Sequence, residues 1–330
     1  MNLRCRLGSL RNVDPMGNAE PDKQVPRLSI LVISYNTVDM TVDCLRSIYR
    51  EAMDSCFEVI VLDNASTDGS ATRILELFPQ LQLIKSEQNH GFAIGNNIAA
   101  ARARGEWILL LNPDTVVRDH AIDTLLNFAR SHPEASIFGG RTTFADGTLN
   151  PTSCWARPTV WSSFCNGAGL AALYRGSRLF DPESMGDWCR DSVREVDIVT
   201  GCFFLLSKRD WEQLGGFDEG FFMYGEEADL CMRAAQRGLK CMICPDAQII
   251  HYGGASEKVR SEKMVRLFCA KSRLFKTHWK PVSVKWGILT LDLWAIVRLV
   301  AHYLIHFVTN SNSEQLETWQ RVWRDRKVWH

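Results

Sequence analysis

Three carboxylates stand within four positions at Glu226-Glu227-x-Asp229, behind an approach of aromatics and glycine, Phe221-Phe222-Met223-Tyr224-Gly225. Leu230, Ala234 and Ala235 follow at helical spacing and Arg237-Gly238 closes the run, so the acids should open a helix. There the free N–H groups and the macrodipole favour a charged carboxylate. A carboxylate held ionised in that position is a candidate general base. First-turn acids are also ordinary capping residues, and the trio alone fits either role.

Four other polar clusters could act with it: Ser34-Tyr35-Asn36, Asp63-Asn64, Asn112-Pro113-Asp114 and His251. Asp63 suits a bond from a base N–H or a ribose hydroxyl. Asp114 suits a divalent cation held against phosphates, and the imidazole of His251 is a common cation ligand. Each cluster is equally good turn or cap chemistry when taken singly.

The elements that must position these residues alternate. Near-continuous apolar runs predict strands at 28–34, 57–62, 81–84 and 107–111, the mark of buried parallel strands. Between them run helical patterns, one with Met40, Cys44, Leu45 and Ile48 on one face and one with Ile74, Leu75 and Phe78. An alanine-rich helix follows Asn89-x-Gly91-Phe92-Ala93-x-Gly95-Asn96-Asn97. Such alternation means a parallel sheet with right-handed crossovers, whose ligands bind at the carboxyl ends of the strands. Ser34, Asp63 and Asn112 stand at three such ends. Short strands are also expected at 241–244 and 248–251, the second ending on His251. No G-x-G-x-x-G follows the first strand and no G-x-x-x-x-G-K-[ST] occurs, which disfavours a dehydrogenase and excludes a P-loop. A nucleotidyltransferase would want a glycine-rich basic loop where Ser34-Tyr35-Asn36 stands.

The 330 residues carry 38 Lys and Arg against 38 Asp and Glu, so no nucleic-acid footprint appears. Eleven cysteines are scattered, with one Cys241-x-x-Cys244 pair inside a strand pattern, as expected of free thiols in a reducing compartment. Residues 1–25 read as a flexible leader without a signal peptide. Residues 141–195 lose the alternation and gather Trp155, Trp161 and Trp188, either a substrate-facing insertion or a packed loop region. From Lys285 to Val308 the chain is apolar, yet Lys285, Asp292, Arg298, His302 and His306 fall within an arc of roughly 140° at 100° per residue. That pattern fits an amphipathic helix in a membrane interface, or a helix packing its apolar face on the body. Trp319 and Trp323 among Arg321, Arg324, Arg326 and Lys327 favour anionic lipid.

In this order the motifs resemble those of the family 2 inverting glycosyltransferases of the GT-A fold, most closely its rhamnosyltransferase-like branch. They are Ser34-Tyr35-Asn36, Asp63-Asn64-Ala65-Ser66-Thr67-Asp68-Gly69-Ser70, Asn89-x-Gly91-Phe92-Ala93-x-Gly95-Asn96-Asn97, Leu111-Asn112-Pro113-Asp114, Thr200-Gly201-Cys202, Gly216-Phe217-Asp218-Glu219 and Tyr224-Gly225-Glu226-Glu227-x-Asp229-Leu230. The resemblance implies an α/β fold, a Rossmann-like, mostly parallel sheet flanked by helices, with a helical tail. It divides the chain into a catalytic domain at 26–278, with a nucleotide-sugar half at 26–140 and an acceptor half at 141–278, and the tail at 279–330.

It also implies roles. Asp63 reads the base, with Ser34, Tyr35, Asn36 and Asn64 lining that site and Asn96 near the sugar nucleotide. Asp114 is the last residue of a D-x-D metal motif whose first acid is here Asn112, and His251 joins it on Mg²⁺ or Mn²⁺. Glu227 is the general base, with Glu226 able to substitute because an aspartate is more usual at that position. Thr200, Gly201 and Cys202 contact the acceptor, a saccharide or polyprenyl-linked saccharide. The implied activity is transfer of a sugar, rhamnose on the branch's suggestion, from a nucleoside-diphosphate donor in bacterial surface polysaccharide synthesis. The implied location is the cytoplasmic face of the membrane. The two departures, Asn112 and Glu227, leave a non-catalytic sugar-nucleotide binder as the alternative.

Overall fold

The computed structural model describes residues 26–51, 56–253, 259–309 and 314–330; the leader expected at 1–25 lies outside them. In chain order the elements are β1 (Leu28–Ser34), α1 (Val38–Arg50), β2 (Phe57–Asp63), α2 (Ser70–Leu77), β3 (Gln82–Lys85), α3 (Gly91–Ala100), β4 (Trp107–Leu111) and β5 (Thr115–Val117). Next come α4 (Ala121–Ser131), β6 (Ile137–Thr143), β7 (Cys154–Trp155), α5 (Val160–Gly167), α6 (Leu170–Leu173), β8 (Arg194–Val196), β9 (Ile198–Val199), β10 (Phe203–Ser207) and α7 (Lys208–Leu214). The chain then runs through α8 (Glu226–Gln236), β11 (Cys241–His251), α9 (Arg260–His278), α10 (Pro281–Thr309) and α11 (Glu314–Arg324).

β1 explains why a sheet forms. All seven of its residues are buried, and side chains alternate between faces. Leu31 and Ile33 therefore enter one apolar cluster with α3, α7 and α8, and Leu28, Ile30 and Val32 enter a second with α1, α2 and α4. Among the described residues one sheet has the order β3-β2-β1-β4-β10-β6-β11-β5, with β8 beside β11. β3, β2, β1 and β4 pair in parallel, as do β6 and β11, while β10 runs antiparallel between β4 and β6. With β10 reversed, the ends of β1, β2, β4, β6 and β11 and the beginning of β10 all meet one edge. The two short strands expected at 241–251 are one strand, β11, broken only by an irregularity between Cys244 and Gln248. Pro245, which lacks an N–H to give the ladder, sits inside that break.

The two halves of the sheet are tied above that edge. The Phe92 N–H donates to the Phe222 carbonyl at 2.7 Å. This contact requires Gly91: its φ is +75°, and a Cβ there would lie 2.1 Å from the Phe222 oxygen. Asn97, further along α3, accepts from the Phe217 N–H at 3.0 Å and donates to the Phe217 carbonyl at 3.0 Å. Asp229 accepts from Arg233 Nε at 2.7 Å and pairs with His278 Nε2 at 2.8 Å. Arg233 also donates to the Leu214 and Gly216 carbonyls. Asp229 thus joins α8, α9 and the glycine turn.

The tail departs from an ordinary soluble helix. Gly287, Thr290, Leu291 and Ala295 form the packed face of α10, so close to α5 that a Cβ on Gly167 would lie 2.5 Å from the Thr290 carbonyl. Asp292 faces the same body, where Trp329 Nε1 donates to it at 3.2 Å. The apolar residues point away: Trp286 is 58% exposed, Val300 50% and Phe307 77%. Asp292, Arg298, His302 and His306 of the polar arc are half-buried while Lys285 is exposed. Most of the arc therefore lies toward the protein and much of the apolar face toward the surroundings, which is not the helix that packs its apolar face on the body.

Gly91→Ala adds both a clash and a strained backbone. It should cost about 1–3 kcal/mol, read as a lower urea midpoint with an unchanged slope.

Candidate active site

The edge formed by the strand ends collects most of the candidate residues. Ser34 pairs in register with Asp63, and the Asn64 N–H donates to the Ser34 carbonyl at 2.8 Å. Gly95 lies tight on Ile33 and Leu62, a Cβ there meeting both at 3.1 Å, so the next residue, Asn96, stands against the ends of β1 and β2. The Asn112 N–H donates to the Cys202 carbonyl at 3.1 Å, which places Thr200-Gly201-Cys202 beside the end of β4. His251 pairs in register with Thr115, and its Nε2 lies 3.5 Å from Asp114 Oδ1. Above the edge, Phe92 packs over Gly201 and holds Phe222, four residues before Glu226. Tyr224 and Gly225 both have left-handed backbones, φ +71° and +89°, and turn the chain into α8.

Hydrogen bonding separates these residues. Asn36 accepts from the Thr67 N–H at 2.8 Å and its own N–H donates to Ser66 Oγ, so it clasps two loops. The Asn64 amide donates to Asn89 Oδ1 and the Gly91 carbonyl and accepts from the His90 N–H. The Ser34 hydroxyl is buried against Thr41 Oγ1 at 2.9 Å. These three side chains are spent on holding loops in place. Tyr35 is half-buried beside them.

Others have nothing to bond. Asp63 Oδ1, Asn96 Oδ1, Asn112 Oδ1, Glu226 Oε2, Glu227 Oε2 and His251 Nδ1 are buried polar atoms without a partner, six of nine such atoms among the described residues. Each costs about 1–3 kcal/mol if left so, and native proteins keep few. Their concentration on residues at or above one edge marks a site made for a polar ligand.

The acids of α8 behave otherwise than their helix position suggests. Burial raises the carboxyl of Glu226 well above its ordinary range, and the neighbouring Glu227 adds to this. Burial raises Glu227 too, against the pull of the N–H groups at the helix mouth. The expectation of carboxylates held ionised by the helix terminus is therefore corrected: desolvation outweighs the dipole, and the pair retains a proton above the usual carboxylate range. Burial pushes Asp229 up, but its hydrogen bonds with His278 and Arg233 outweigh this and hold it low. At His251 burial pulls the imidazole down, but Cys202 and Asp114 beside it outweigh this and raise it to about 11.

For a divalent cation the donor set is small. Among the described residues no group of three or more His, Cys, Asp or Glu forms a cage. Asp114 and His251, the latter once it gives up its proton, with Asn112 two residues before Asp114, would hold one side of a coordination sphere, which fits a hard cation that takes its remaining ligands from water and phosphate.

Sequence spacing alone missed Asn97 as the clamp on Phe217 and His278 as the partner of Asp229. It also missed a row of cations on α9: Lys263 lies over the Tyr224 ring at 5.8 Å, Arg266 over Phe222 at 5.4 Å and Arg273 over Phe221 at 5.2 Å. Their spacing on one helical face was the available signal.

Strand ends facing one polar edge, with an acid-bearing helix above it, are the arrangement of a GT-A fold. The chain matches glycosyl transferase family 2 over residues 29–182 and glycosyl transferase family group 2 over residues 107–312, and it belongs to the family 2 glycosyltransferases. It is 29% identical over 269 residues to the N-acetylglucosaminyl-diphospho-decaprenol L-rhamnosyltransferase of Mycobacterium tuberculosis, covering 73% of this chain and 83% of that one. It is also 29% identical over 242 residues to the O-antigen biosynthesis protein RfbC of Myxococcus xanthus, covering 72% of this chain but 18% of that much longer protein. The mannosyltransferase PcManGT from Pyrobaculum calidifontis, solved with GDP-Man and Mn²⁺, shares the fold. Its TM-score is 0.55 at 17% identity, over 93% of this chain and 86% of that one.

The raised Glu226 pKa has a consequence for stability. Protonation favours the folded state, so its contribution is full below the unfolded pKa of about 4.3 and is lost as pH rises through the folded value. Glu226→Gln should be more stable than wild type at pH 7, with the difference vanishing near pH 4, in urea titrations at both.

Proposed function

We propose that this transferase moves a sugar, with inversion, from a nucleoside-diphosphate donor to a saccharide or lipid-linked saccharide acceptor in bacterial surface polysaccharide synthesis. The observation that carries this reading is the set of buried, unpartnered polar atoms at the strand edge. Asp63 accepts from the nucleoside, Asn96 binds near the sugar, and Thr200, Gly201 and Cys202 line the acceptor side. Asp114 and His251 hold Mg²⁺ or Mn²⁺, aided by the Asn112 amide oxygen. When bound, the cation offsets the charge that develops on the leaving diphosphate.

Glu227 accepts the proton of the acceptor hydroxyl as that oxygen attacks the anomeric carbon from the face opposite the diphosphate. Its raised pKa suits it to this work near neutral pH. Glu226, raised further by Glu227, stays protonated and leaves its neighbour ionised. Rhamnose is the sugar suggested by the L-rhamnosyltransferase of M. tuberculosis, whose name also specifies a decaprenol-linked acceptor.

The outward apolar face of α10 supports a place on the cytoplasmic membrane surface. The helix is long and apolar enough to cross a bilayer by length and composition, but its close packing on α5 favours lying along the interface.

Glu227→Gln should lower release of nucleoside diphosphate by about 10²–10⁴ with donor binding retained, whereas Glu226→Gln should keep most activity. The reverse ranking would move the base to Glu226. EDTA should abolish transfer and Mn²⁺ restore it; full activity in chelator would remove the cation from the scheme. Leu304→Glu with Phe307→Glu should release the protein from anionic vesicles in a sedimentation assay.

A further inference from the structure

The cavity between α9 and the Gly220–Met223 segment is large enough for a ligand, about 590 Å³. Arg266, Arg273 and Lys276 line one wall, Phe221 and Phe222 another, and Trp329 a third. We propose that it binds the diphosphate of a membrane lipid carrying the acceptor sugar. This rests on the lipid-linked acceptor proposed above and assigns that acceptor's phosphates a place.

The charge is of the right sign. Lys263, Arg266, Arg273 and Lys276 share one face of α9, within an arc of about 140° at 100° per residue. Asp218 meets Arg273 at 2.8 Å. Glu262 lies 4.0 Å from Arg266 but is nearer, at 3.0 Å, to Arg321. Lys276 donates to the His330 carbonyl at 2.8 Å. Cations therefore outnumber the carboxylates set against this face among the described residues. Arg266 and Arg273 stack on the Phe222 and Phe221 rings that line the same cavity.

The position is equally particular. On one side the cavity is bounded by Phe222, whose carbonyl is fixed to Phe92 above the catalytic edge. On the other it is bounded by Trp329, bonded to Asp292 of α10, the helix whose apolar face points outward. A molecule with its hydroxyl at Glu227 and its hydrocarbon beside α10 must pass its diphosphate between them. Paired phosphates are recognised by forked guanidinium donors at short range.

The test uses the full chain and a fluorescent short-chain prenyl diphosphate in neutral detergent micelles, read by anisotropy. Binding should weaken with added salt. Arg266→Ala and Lys276→Ala should each weaken it roughly tenfold, with thermal unfolding unchanged, and Arg266→Lys should recover part of the loss. Unlabelled prenyl diphosphate should displace the probe, and prenyl alcohol should not. Equal affinity in wild type and both alanine variants overturns the proposal. So does displacement by inorganic pyrophosphate at the same concentration as by the lipid, which would mean a site for the free anion. No donor sugar or transfer enters the assay. An inactive enzyme that binds the probe would refute only the catalytic reading, and an active one that ignores it only this site.

Discussion

The contact between the Phe92 N–H and the Phe222 carbonyl carries more of the architecture than its 2.7 Å suggests. Phe92 begins the helix packed on the ends of β1 and β2, and Phe222 ends the approach to the helix that carries Glu226 and Glu227. Without a side chain at Gly91 the two backbones can touch; any Cβ would forbid it. Asn97 then doubles the link one turn and more along α3, by two bonds to Phe217. The proposed base, which must sit within hydrogen-bond reach of an acceptor oxygen, is thus positioned by backbone, the least adjustable part of the chain. A misplacement of about 1 Å can cost two orders of magnitude in rate.

Within that frame polar capacity is divided. Ser34, Asn36, Asn64, Asn97 and Asp229 spend their side chains on loops and helix ends, and each closes its account inside the protein. Asp63, Asn96, Asn112, Glu226, Glu227 and His251 do not. The contrast between Asp229 and its neighbours shows why type and spacing were insufficient. All three acids belong to one turn of one helix. Asp229 faces Arg233 and His278 and is held in its charged form. The two glutamates face a desolvated space that raises their affinity for a proton. A carboxylate of the first kind is too weakly basic to remove a proton from an alcohol near neutrality, and one of the second kind is suited to it.

Much of the fold was legible in the chain because buried parallel strands are written as continuous apolar runs. The polar residue that follows each run marks the edge where ligands bind. Periodicity gave β1, β2 and β4 and the helix after Gly225. It could not give the reversal of β10, since a strand's direction in a sheet is set by its neighbours. Nor could it join the two halves of β11 across Pro245, where the sequence reads as an end and the ladder resumes. The motifs picked out polar residues that the structure gathers at one edge but could not say which were consumed. Asn64 and Asn96 look alike in sequence; only the loop at 86–91 around one and its absence around the other distinguishes them.

The tail shows the same limit from the opposite direction. Its apolar and polar residues are distributed as in an amphipathic helix, and the pattern alone does not say which side is inward. Thr290 lies against Gly167 of α5 and Gly287 against Phe275 of α9, a small surface that lets α10 approach both, and Asp292 finds Trp329 and His330. Asp292 therefore goes to the body because the body offers it partners, and Trp286, Val300, Leu304 and Phe307 are left facing out. In water alone this arrangement would be costly, since each exposed large side chain forgoes about 1.5–3 kcal/mol of burial. A lipid surface removes that cost. The same surface would hold the apolar end of the proposed lipid-linked acceptor beside the helix, turning a three-dimensional search for it into one along the membrane plane.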